Sequence, residues 1–347
     1  VYSNKKFAAN PQLDNFYQKQ EENGAIRSAY FVEDGSPVLT PENPEGLALP
    51  IFSWAEYNLY HKIGNKKRIK EVMPILEKYF EWLDSNFKHD NGLYAVPLAA
   101  TATPSTPRAA ATYFVDFNAA QAVNALYMSE LGEILNDKEI SFKYKRHYFS
   151  LKTKINQQFW NEEDGLYYDL DDKLQQVRVK SIATFWTLLA EIPNEAKTDL
   201  LIPHLKNAET FGTPHPFPSL AAGEKAFSPE GHAYNGSVYP HLTFMVIKGL
   251  EKYGFYELAR ESAIRHLYYM LDTLHPEGNK RGNVWEAYKP SRDGHAEWPG
   301  HEETFPKPLY LHWVGLSTIA LMIENVIGLY ISLPKKTVDW KVPTIEA

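Results

Sequence analysis

The chain has 347 residues, of which 44% are hydrophobic and 23% charged, and its formal net charge is −7. This composition is typical of a folded domain with a large core, and the lack of a basic block or a basic-aromatic stripe argues against nucleic acid as a partner. Cysteine is absent, which excludes disulfides and thiolate metal sites. No apolar run is long enough to predict a membrane span, and no signal peptide is visible.

Apolar residues recur at helical spacing along most of the chain. The first predicted helix, 50–61, ends at Gly64 and Asn65, and the second, 66–87, contains Pro74, which should kink it. Before them, residues 24–38 alternate like a β-hairpin that turns at Gly35, and later 165–179 predicts another that turns at Asp171 and Asp172. The remaining predicted helices are 116–135, 141–160, 181–191, 194–205, 237–253, 256–274 and 309–333.

Short turns between these helices predict antiparallel neighbours. They alternate with long connections rich in Pro, Gly, Thr and His, at 88–115, 211–235 and 275–308. This alternation predicts one all-α domain over residues 1–347, an (α/α) toroid whose long loops gather on one face, where loops on a rigid scaffold usually carry function. The chain begins at Val1 rather than Met, so we expect that an N-terminal portion precedes it.

The loop around Glu286 is the most suggestive candidate site. Glu286 directly follows Trp285, and Tyr288 lies two residues further on, so aromatic rings could desolvate and orient the carboxyl group. Hydrolysis of a glycosidic bond needs two such carboxyl groups, one as acid and one as base or nucleophile. From these residues alone, an ordinary surface position for Glu286 stays open as the alternative.

A family resemblance extends this interpretation. WEAYKPSRDG, followed by LHWVGLSTIALMIENVIGL, resembles the end of the family 63 glycoside hydrolases, in particular their mannosylglycerate-hydrolase-like branch and more distantly the trehalases. ALPIFSWAEYNLYHKIGNKKRIKEVMPILEKYFEWL, FWNEEDGLYYDLD and AYNGSVYPHLTFMVIKGLEKYGF resemble earlier segments, in the family's order. The resemblance covers most of the chain. It implies an (α/α)6 toroid, called six-hairpin, and an inverting glycosidase whose partner is a small α-linked glycoside or oligosaccharide.

The resemblance also assigns roles to residues. The family's Glu at the position of Glu286 is the general base that activates a water. Its general acid is an Asp four residues before an Arg; here Arg108 matches the Arg, but Pro104 replaces the Asp. Asp116 matches an acidic residue beside the sugar and is the best remaining acid candidate, with a helix N-cap as the alternative. Glu56 is a second substitute, with a solvated helix face as the alternative.

The sugar-binding positions diverge from the family as well. Tyr234, Asn235 and Tyr239 replace its Trp, Arg and Trp. Losing the Arg removes a five-donor fork, so we do not expect the substrate to carry the carboxylate of mannosylglycerate. Besides Arg108 and Glu56, Lys180 and Trp186 match family positions near the cavity. Further candidates are the stacking platforms Trp54, Trp285 and Trp313, each of which could equally be a core residue.

Two other functions stay open. Pro104 favours a carbohydrate-binding relative with reduced or lost catalysis. The acidic residues within Asp169–Asp172 resemble the motif of terpene cyclases, which requires an apolar cavity, whereas here the run lies at a predicted polar turn. His301 and Glu302 lack the second His of a zinc-binding helix, so we predict no metal and no cofactor. Localisation stays open between the cytoplasm and a periplasmic or secreted site.

Overall fold

The computed structural model describes residues 10–274, 282–310, 313 and 315–341. Within these residues the architecture is mainly helical, and no helix there is long and apolar enough to cross a membrane. The helices are α1 (Asn10–Tyr17), α2 (Phe52–Ile63), α3 (Lys66–Phe87), α4 (Val115–Leu135), α5 (Lys138–Gln158), α6 (Trp186–Leu189), α7 (Glu195–Leu201), α8 (Pro240–Lys252), α9 (Tyr256–Asp272) and a π-helical segment, Leu316–Val326, called the C-terminal helix below.

Small antiparallel sheets and 3-10 turns complete the described part. β1 (Trp160–Asn161) pairs with β2 (Leu166–Tyr167), β3 (Asp169–Leu170) with β4 (Gln176–Val177), and β5 (Leu329–Ser332) with β6 (Thr337–Trp340). The 3-10 turns are Leu98–Ala100, Thr106–Ala110, Ile182–Phe185 and Ile202–Leu205.

Tight turns with clear capping join the paired helices. Gly64 ends α2 in the left-handed conformation (φ 70°) and donates its N–H to the carbonyl of Tyr60. Asn65 then caps α3 by accepting the N–H of Arg68 at 3.2 Å. Such caps satisfy backbone groups that a helix end leaves unpaired. The predicted stop at Gly64 and Asn65 is therefore confirmed, as are the bounds 66–87 of α3.

The helices that follow long connections pack against one another in chain order. α2 contacts α4, α4 contacts α6, α6 contacts α8, and α8 contacts the C-terminal helix. The C-terminal end of α2 then meets the last part of this series, because Lys62 pairs with Glu324 at 3.3 Å and His61 hydrogen-bonds Ser332 at 2.9 Å. The long connections before α2, α4, α6, α8 and the C-terminal helix therefore all lead into helices of one inner series.

α4 is buried on nearly all sides, which fits its position between α2, α5 and α6. Its small residues let neighbours approach closely. A Cβ added at Gly132 would lie 2.8 Å from the backbone nitrogen of Ser141 on α5, a distance that real Cβ atoms essentially never show. The hydrophobic core runs from this helix into α3, α5 and α8.

Two predicted helices are wrong at their ends. The prediction 309–333 covers the loop residues Leu309 and Tyr310, the C-terminal helix and β5. The helix ends before Gly328 (φ 79°), where an added Cβ would meet the carbonyl oxygen of Lys341 at 2.2 Å, so only glycine permits this turn. The prediction 237–253 begins too early. α8 starts at Pro240. Proline suits this position because a backbone N–H in the first turn would have no acceptor within the helix.

The other predicted elements agree in type, with local differences. Residues 181–191 and 194–205 each combine a short α-helix with a 3-10 turn. The 165–179 hairpin is confirmed as β3 and β4, with Asp171 at its turn. The 24–38 hairpin is reduced to one bridge between Tyr30 and Pro37, with Gly35 (φ 71°) at the turn. The connection 275–308 begins with residues 275–281, outside the described residues.

Candidate active site

Backbone bridges tie the long loops side by side. Tyr113 bridges to Leu170, which joins the loop before α4 to the hairpin before α6. Ser181 bridges to Leu220, and Ser219 donates its N–H to Ser237 at 2.9 Å. A further bridge between Val238 and Tyr288 reaches the loop that carries Glu286. These contacts connect, one to the next, the loops that precede α4, α6, α8 and the C-terminal helix.

Glu286 is half-buried, and one of its two carboxylate oxygens is held by a backbone N–H. Its N–H donates to the carbonyl of Lys307 at 3.0 Å, and the N–H of Lys307 donates to Oε2 at 3.1 Å. Its carbonyl accepts Nε1–H of Trp313 at 3.3 Å. Within the described part of the chain, Oε1 has no hydrogen-bond partner. A carboxylate with one anchored and one available oxygen is suited to take a proton from a water.

Aromatic residues surround this carboxylate. Tyr234 and Tyr239 stack with their ring centroids 4.6 Å apart, and Tyr310 lies 4.6 Å from Trp313. Burial, and secondarily the negative charge of Glu286, raises the pKa of Tyr234 and of Tyr310. The phenols near Glu286 therefore stay protonated at neutral pH. They offer apolar faces and hydroxyl donors, the two features with which proteins hold sugars.

Arg108 does not face this surface. Its side chain is 0% exposed, and its guanidinium binds two carboxylates. Nε and Nη2 donate to Asp169 at 2.7 and 3.0 Å, and Nη1 and Nη2 each donate to Asp116 at 3.0 Å. Nη1 also donates to the carbonyl and the hydroxyl of Thr103. With its donors used inside the protein, Arg108 is placed to hold the loop rather than a sugar, which corrects its predicted role.

Asp116 is equally enclosed. It is the second residue of α4 and not its N-cap, which is Phe114. Oδ1 accepts the N–H of Phe117 and Oδ2 that of Ala102, both at 3.0 Å, in addition to the Arg108 donors. A carboxylate with no exposed surface and both oxygens bound to a cation is out of reach of a glycosidic oxygen. This placement favours an ion-pair role for Asp116 over the predicted acid.

Pro104, at the position of the family's acid, is half-buried in the same loop. Its neighbours Thr103 and Ser105 are buried, and they bring hydroxyl groups rather than carboxylates to the loop. The Thr103 hydroxyl contacts Ser181 at 3.2 Å, and Ser105 Oγ has no hydrogen-bond partner among the described residues. The loop thus provides no carboxylate in place of the missing acid.

The structure contradicts both predictions for Glu56, that it faces the cavity and that it lies on a solvated helix face. It is 1% exposed, so it lies neither on a solvated face nor free in a cavity. Nε and Nη2 of Arg68 donate to its two oxygens at 2.8 and 2.6 Å, and the hydroxyl of Tyr17 donates to it at 2.9 Å. The α2–α3 turn brings Arg68 back onto Glu56. The pair connects α1, α2 and α3.

The remaining candidates fall into two groups. Trp186 is 4% exposed and belongs to the core, whereas Tyr239 is buried beside Tyr234 in the aromatic cluster. The partly exposed candidates are Trp54, Lys180, Trp285 and Trp313. The ring of Trp54 packs 6.4 Å from that of Phe244, and Trp285 stacks on His295 at 3.9 Å.

Asn235 has a feature that fits a ligand. Its Oδ1 is buried and has no hydrogen-bond partner among the described residues, although its backbone groups pair with His232 and Ser228. A buried acceptor left unpaired in this way is costly unless another group, such as a sugar hydroxyl, satisfies it. Asn235 adjoins Tyr234, which lies within electrostatic reach of Glu286.

The sequence analysis did not predict the roles of two residues, Asp169 and Trp298. Asp169 was visible only as part of an acidic run, and its pairing with Arg108 spans 61 positions. Trp298 stacks on His301 at 3.8 Å and faces His232 at 6.4 Å, and the aromatic and histidine content of the 283–313 segment was its only signal.

The acidic run Asp169–Asp172 does not act as a unit. Asp169 faces Arg108, Asp171 accepts the N–H groups of Lys173 and Gln175 within its own turn, and Asp172 is exposed. These separate placements argue against the terpene-cyclase hypothesis, which requires the acidic residues to line one cavity together. In the described ranges, no group of three or more His, Asp or Glu side chains is arranged to hold a metal ion.

One family model matches most of the chain. The profile of the mannosylglycerate hydrolase MGH1-like glycoside hydrolase domain matches residues 6–305. An uncharacterized protein of Borreliella burgdorferi is 48% identical over 346 residues, which are 100% of this chain and 73% of the relative. The cytosolic neutral trehalase of Kluyveromyces lactis is 28% identical over 145 residues, 41% of this chain and 19% of the trehalase.

A solved structure is similar over most of the chain. The family 63 mannosylglycerate hydrolase of Thermus thermophilus in complex with glucose superposes with a TM-score of 0.67, at 18% identity, over 82% of this chain and 83% of the hydrolase. At this identity the likeness shows the fold alone, and it agrees with the helical architecture described above.

Proposed function

The chain belongs to the mannosylglycerate hydrolase MGH1-like glycoside hydrolase family, and on this basis we propose that it is an inverting glycoside hydrolase that acts on a small α-linked glycoside or oligosaccharide. Glu286 is the general base. The observation that carries the proposal is the Glu286 carboxylate, anchored through Oε2 and available at Oε1, in an aromatic surface on the loop face.

An (α/α)6 toroid of one domain over residues 1–347 is the architecture proposed with this function. The inner helices support this architecture, because each one contacts the next and the last part of the series contacts α2.

Inversion requires that a water attack the anomeric carbon from the face opposite the leaving group. Glu286 takes one proton of this water while the new C–O bond forms and the glycosidic bond breaks. The Lys307 N–H orients the carboxylate for this transfer, and Trp313 holds the Glu286 backbone carbonyl. The leaving oxygen needs a proton in the same step, and general acid catalysis typically contributes about 10²–10⁴-fold.

The source of that proton decides between two functions, an active hydrolase and a carbohydrate-binding relative. Asp116 was the best candidate from the sequence, and its enclosure by Arg108 favours the second function, a carbohydrate-binding relative with reduced or lost catalysis. Pro104 favours it as well. A substrate whose leaving group needs no protonation would still be hydrolysed by a chain that keeps its base.

The aromatic surface indicates an uncharged sugar as ligand. Tyr234 is half-buried and presents a ring that is backed by the buried ring of Tyr239, and Asn235 offers a buried acceptor. Where the family has an Arg, this chain has Asn235, so no guanidinium fork is available there for a carboxylate. We expect neutral glycosides to be preferred over mannosylglycerate.

Sugar release from α-glucosides, α-mannosides and α-galactosides tests the proposal. Product anomers are followed by NMR, and Glu286→Gln is assayed beside Glu303→Gln, an exposed glutamate of the same loop. We expect release of the inverted anomer, lost in Glu286→Gln and kept in Glu303→Gln. Retained anomers would refute inversion. No release from any substrate, with sugar binding still detected by calorimetry, would favour the binding protein instead.

A further inference from the structure

Lys289 is a lysine in a loop, yet it is only 5% exposed. Its Nζ contacts Oε2 of Glu230 at 2.8 Å and Oε1 of Glu297 at 2.5 Å. Arg292, which is exposed, donates to both oxygens of Glu230 at 2.9 and 2.8 Å. An enclosed ammonium group persists only when it is paired. These pairs join the 228–238 segment, which holds Glu230, to the 283–297 segment, which holds the other three residues.

Backbone contacts join the same two segments at separate places. Val238 and Tyr288 exchange both of their backbone hydrogen bonds, at 2.9 and 3.0 Å. Eight residues earlier, the carbonyl of Glu230 accepts the N–H of Glu297 at 2.8 Å. The 228–238 segment is therefore attached to its neighbour near both ends, and the ion pairs of Lys289 lie at the end away from α8.

The stretch between these attachments carries candidate ligand-binding groups. Tyr234, with its ring stacked on Tyr239, and Asn235, with its unpaired Oδ1, both lie there. Glu286 lies on the opposite segment, three residues before Lys289. The spacing between the proposed base and the proposed sugar-binding groups thus depends on how firmly the two segments are held together.

We propose that Lys289 is a positioning residue: with Glu230 and Glu297 it forms an ion-pair latch that holds Tyr234 and Asn235 in register with Glu286. This role rests on the proposed function of the site. Lys289 does not touch the sugar. Its removal acts through the 228–238 segment, and it therefore affects substrate binding more than the chemistry at Glu286.

Hydrogen exchange tests the latch without any substrate. The probes are the backbone amides of Ser228, Gly231 and Asn235, which all donate within the segment. In Lys289→Met we expect these amides to exchange about tenfold faster or more, equivalent to ~1.4 kcal/mol of local stability. α4 and α5 should be unchanged. Lys289→Arg should restore protection, and the matched control Arg292→Gln, which removes only the exposed arm, should change little.

Unchanged exchange at these amides in Lys289→Met would overturn the latch. If Lys289→Met also speeds exchange in α4 and α5, Glu297→Gln decides, because it removes one half-exposed partner. Faster exchange confined to 228–238 in that variant supports the latch, and no change refutes it.

Kinetics then separate positioning from a purely structural role. We expect Lys289→Met to raise KM about tenfold, as lost binding of ~1.4 kcal/mol would, with a smaller effect on kcat. A fall in kcat alone would contradict positioning. If the unmodified chain hydrolyses no glycoside, that result counts against the proposed function only, because the exchange measurement stands without it.

Discussion

Replacing Arg108 by Met tests the buried ion cluster most severely. The change leaves Asp116 and Asp169, which are 0% and 3% exposed, without their shared cation. Removing one partner of a buried ion pair costs about 3–5 kcal/mol. The carbonyl of Thr103 also loses a donor, and an unsatisfied buried acceptor adds about 1–3 kcal/mol.

Backbone donors limit this cost. Asp116 keeps the N–H groups of Ala102 and Phe117, and Asp169 keeps that of Val115 at 2.8 Å. We therefore expect a loss of about 3–5 kcal/mol in the free energy of unfolding, rather than that amount for each carboxylate. The loss should shrink at lower pH, because burial raises the pKa of the Asp169 carboxyl, which becomes neutral when it binds a proton.

Urea unfolding followed by circular dichroism at pH 7 and pH 5 measures this loss. The matched control is Arg178→Met, an exposed arginine that pairs with Asp164 and Glu163 on the surface. Equal stability of the Arg108 and Arg178 variants would refute the reasoning. So would a normal stability of Arg108→Met accompanied by a raised KM, since that result would place Arg108 on the substrate.

Two further predictions concern packing and pH. Gly132→Ala should destabilise the chain by about 1–3 kcal/mol, because the new Cβ would lie 2.8 Å from the backbone of Ser141. Urea unfolding measures this loss of stability. A neutral or stabilising effect would show that α4 and α5 separate freely. Burial lowers the pKa of His266 to about 3, so the unfolded chain binds this proton first, and His266 should add a fall in stability of up to ~1.4 kcal/mol per pH unit as pH drops from about 6.5 toward 3. His266→Asn should flatten that slope in unfolding curves recorded across this range, and an unchanged slope would exclude His266 as its source.

Local patterns predicted the long helices well. The 66–87 helix has regular apolar spacing, and Gly64 and Asn65 mark its start by their turn and capping chemistry. The 309–333 prediction failed because an apolar run does not separate a helix from a strand. Gly328 was the one local sign that the helix ends and β5 follows.

The pairing of charges lay beyond sequence reasoning. Arg108 meets Asp169 across 61 positions, and Glu56 meets Arg68 only because α2 and α3 fold back on each other. A carboxylate that ends in a buried ion pair looks the same in a sequence as one that faces a substrate. Glu286, by contrast, was predicted as the base from its aromatic neighbours and its family position; that role stays a prediction, and the side chain is half-buried.

Hydrolysis of an α-glycosyl fluoride tests the role of Glu286 most directly, because fluoride leaves without a proton and the rate then does not depend on a general acid. We expect the unmodified chain to hydrolyse a suitable fluoride to the inverted anomer. Glu286→Gln should be slower by about 10²–10⁴-fold, the usual contribution of a general base. A Glu286→Gln variant that hydrolyses the fluoride as fast as the unmodified chain would contradict the assignment of Glu286 as the base.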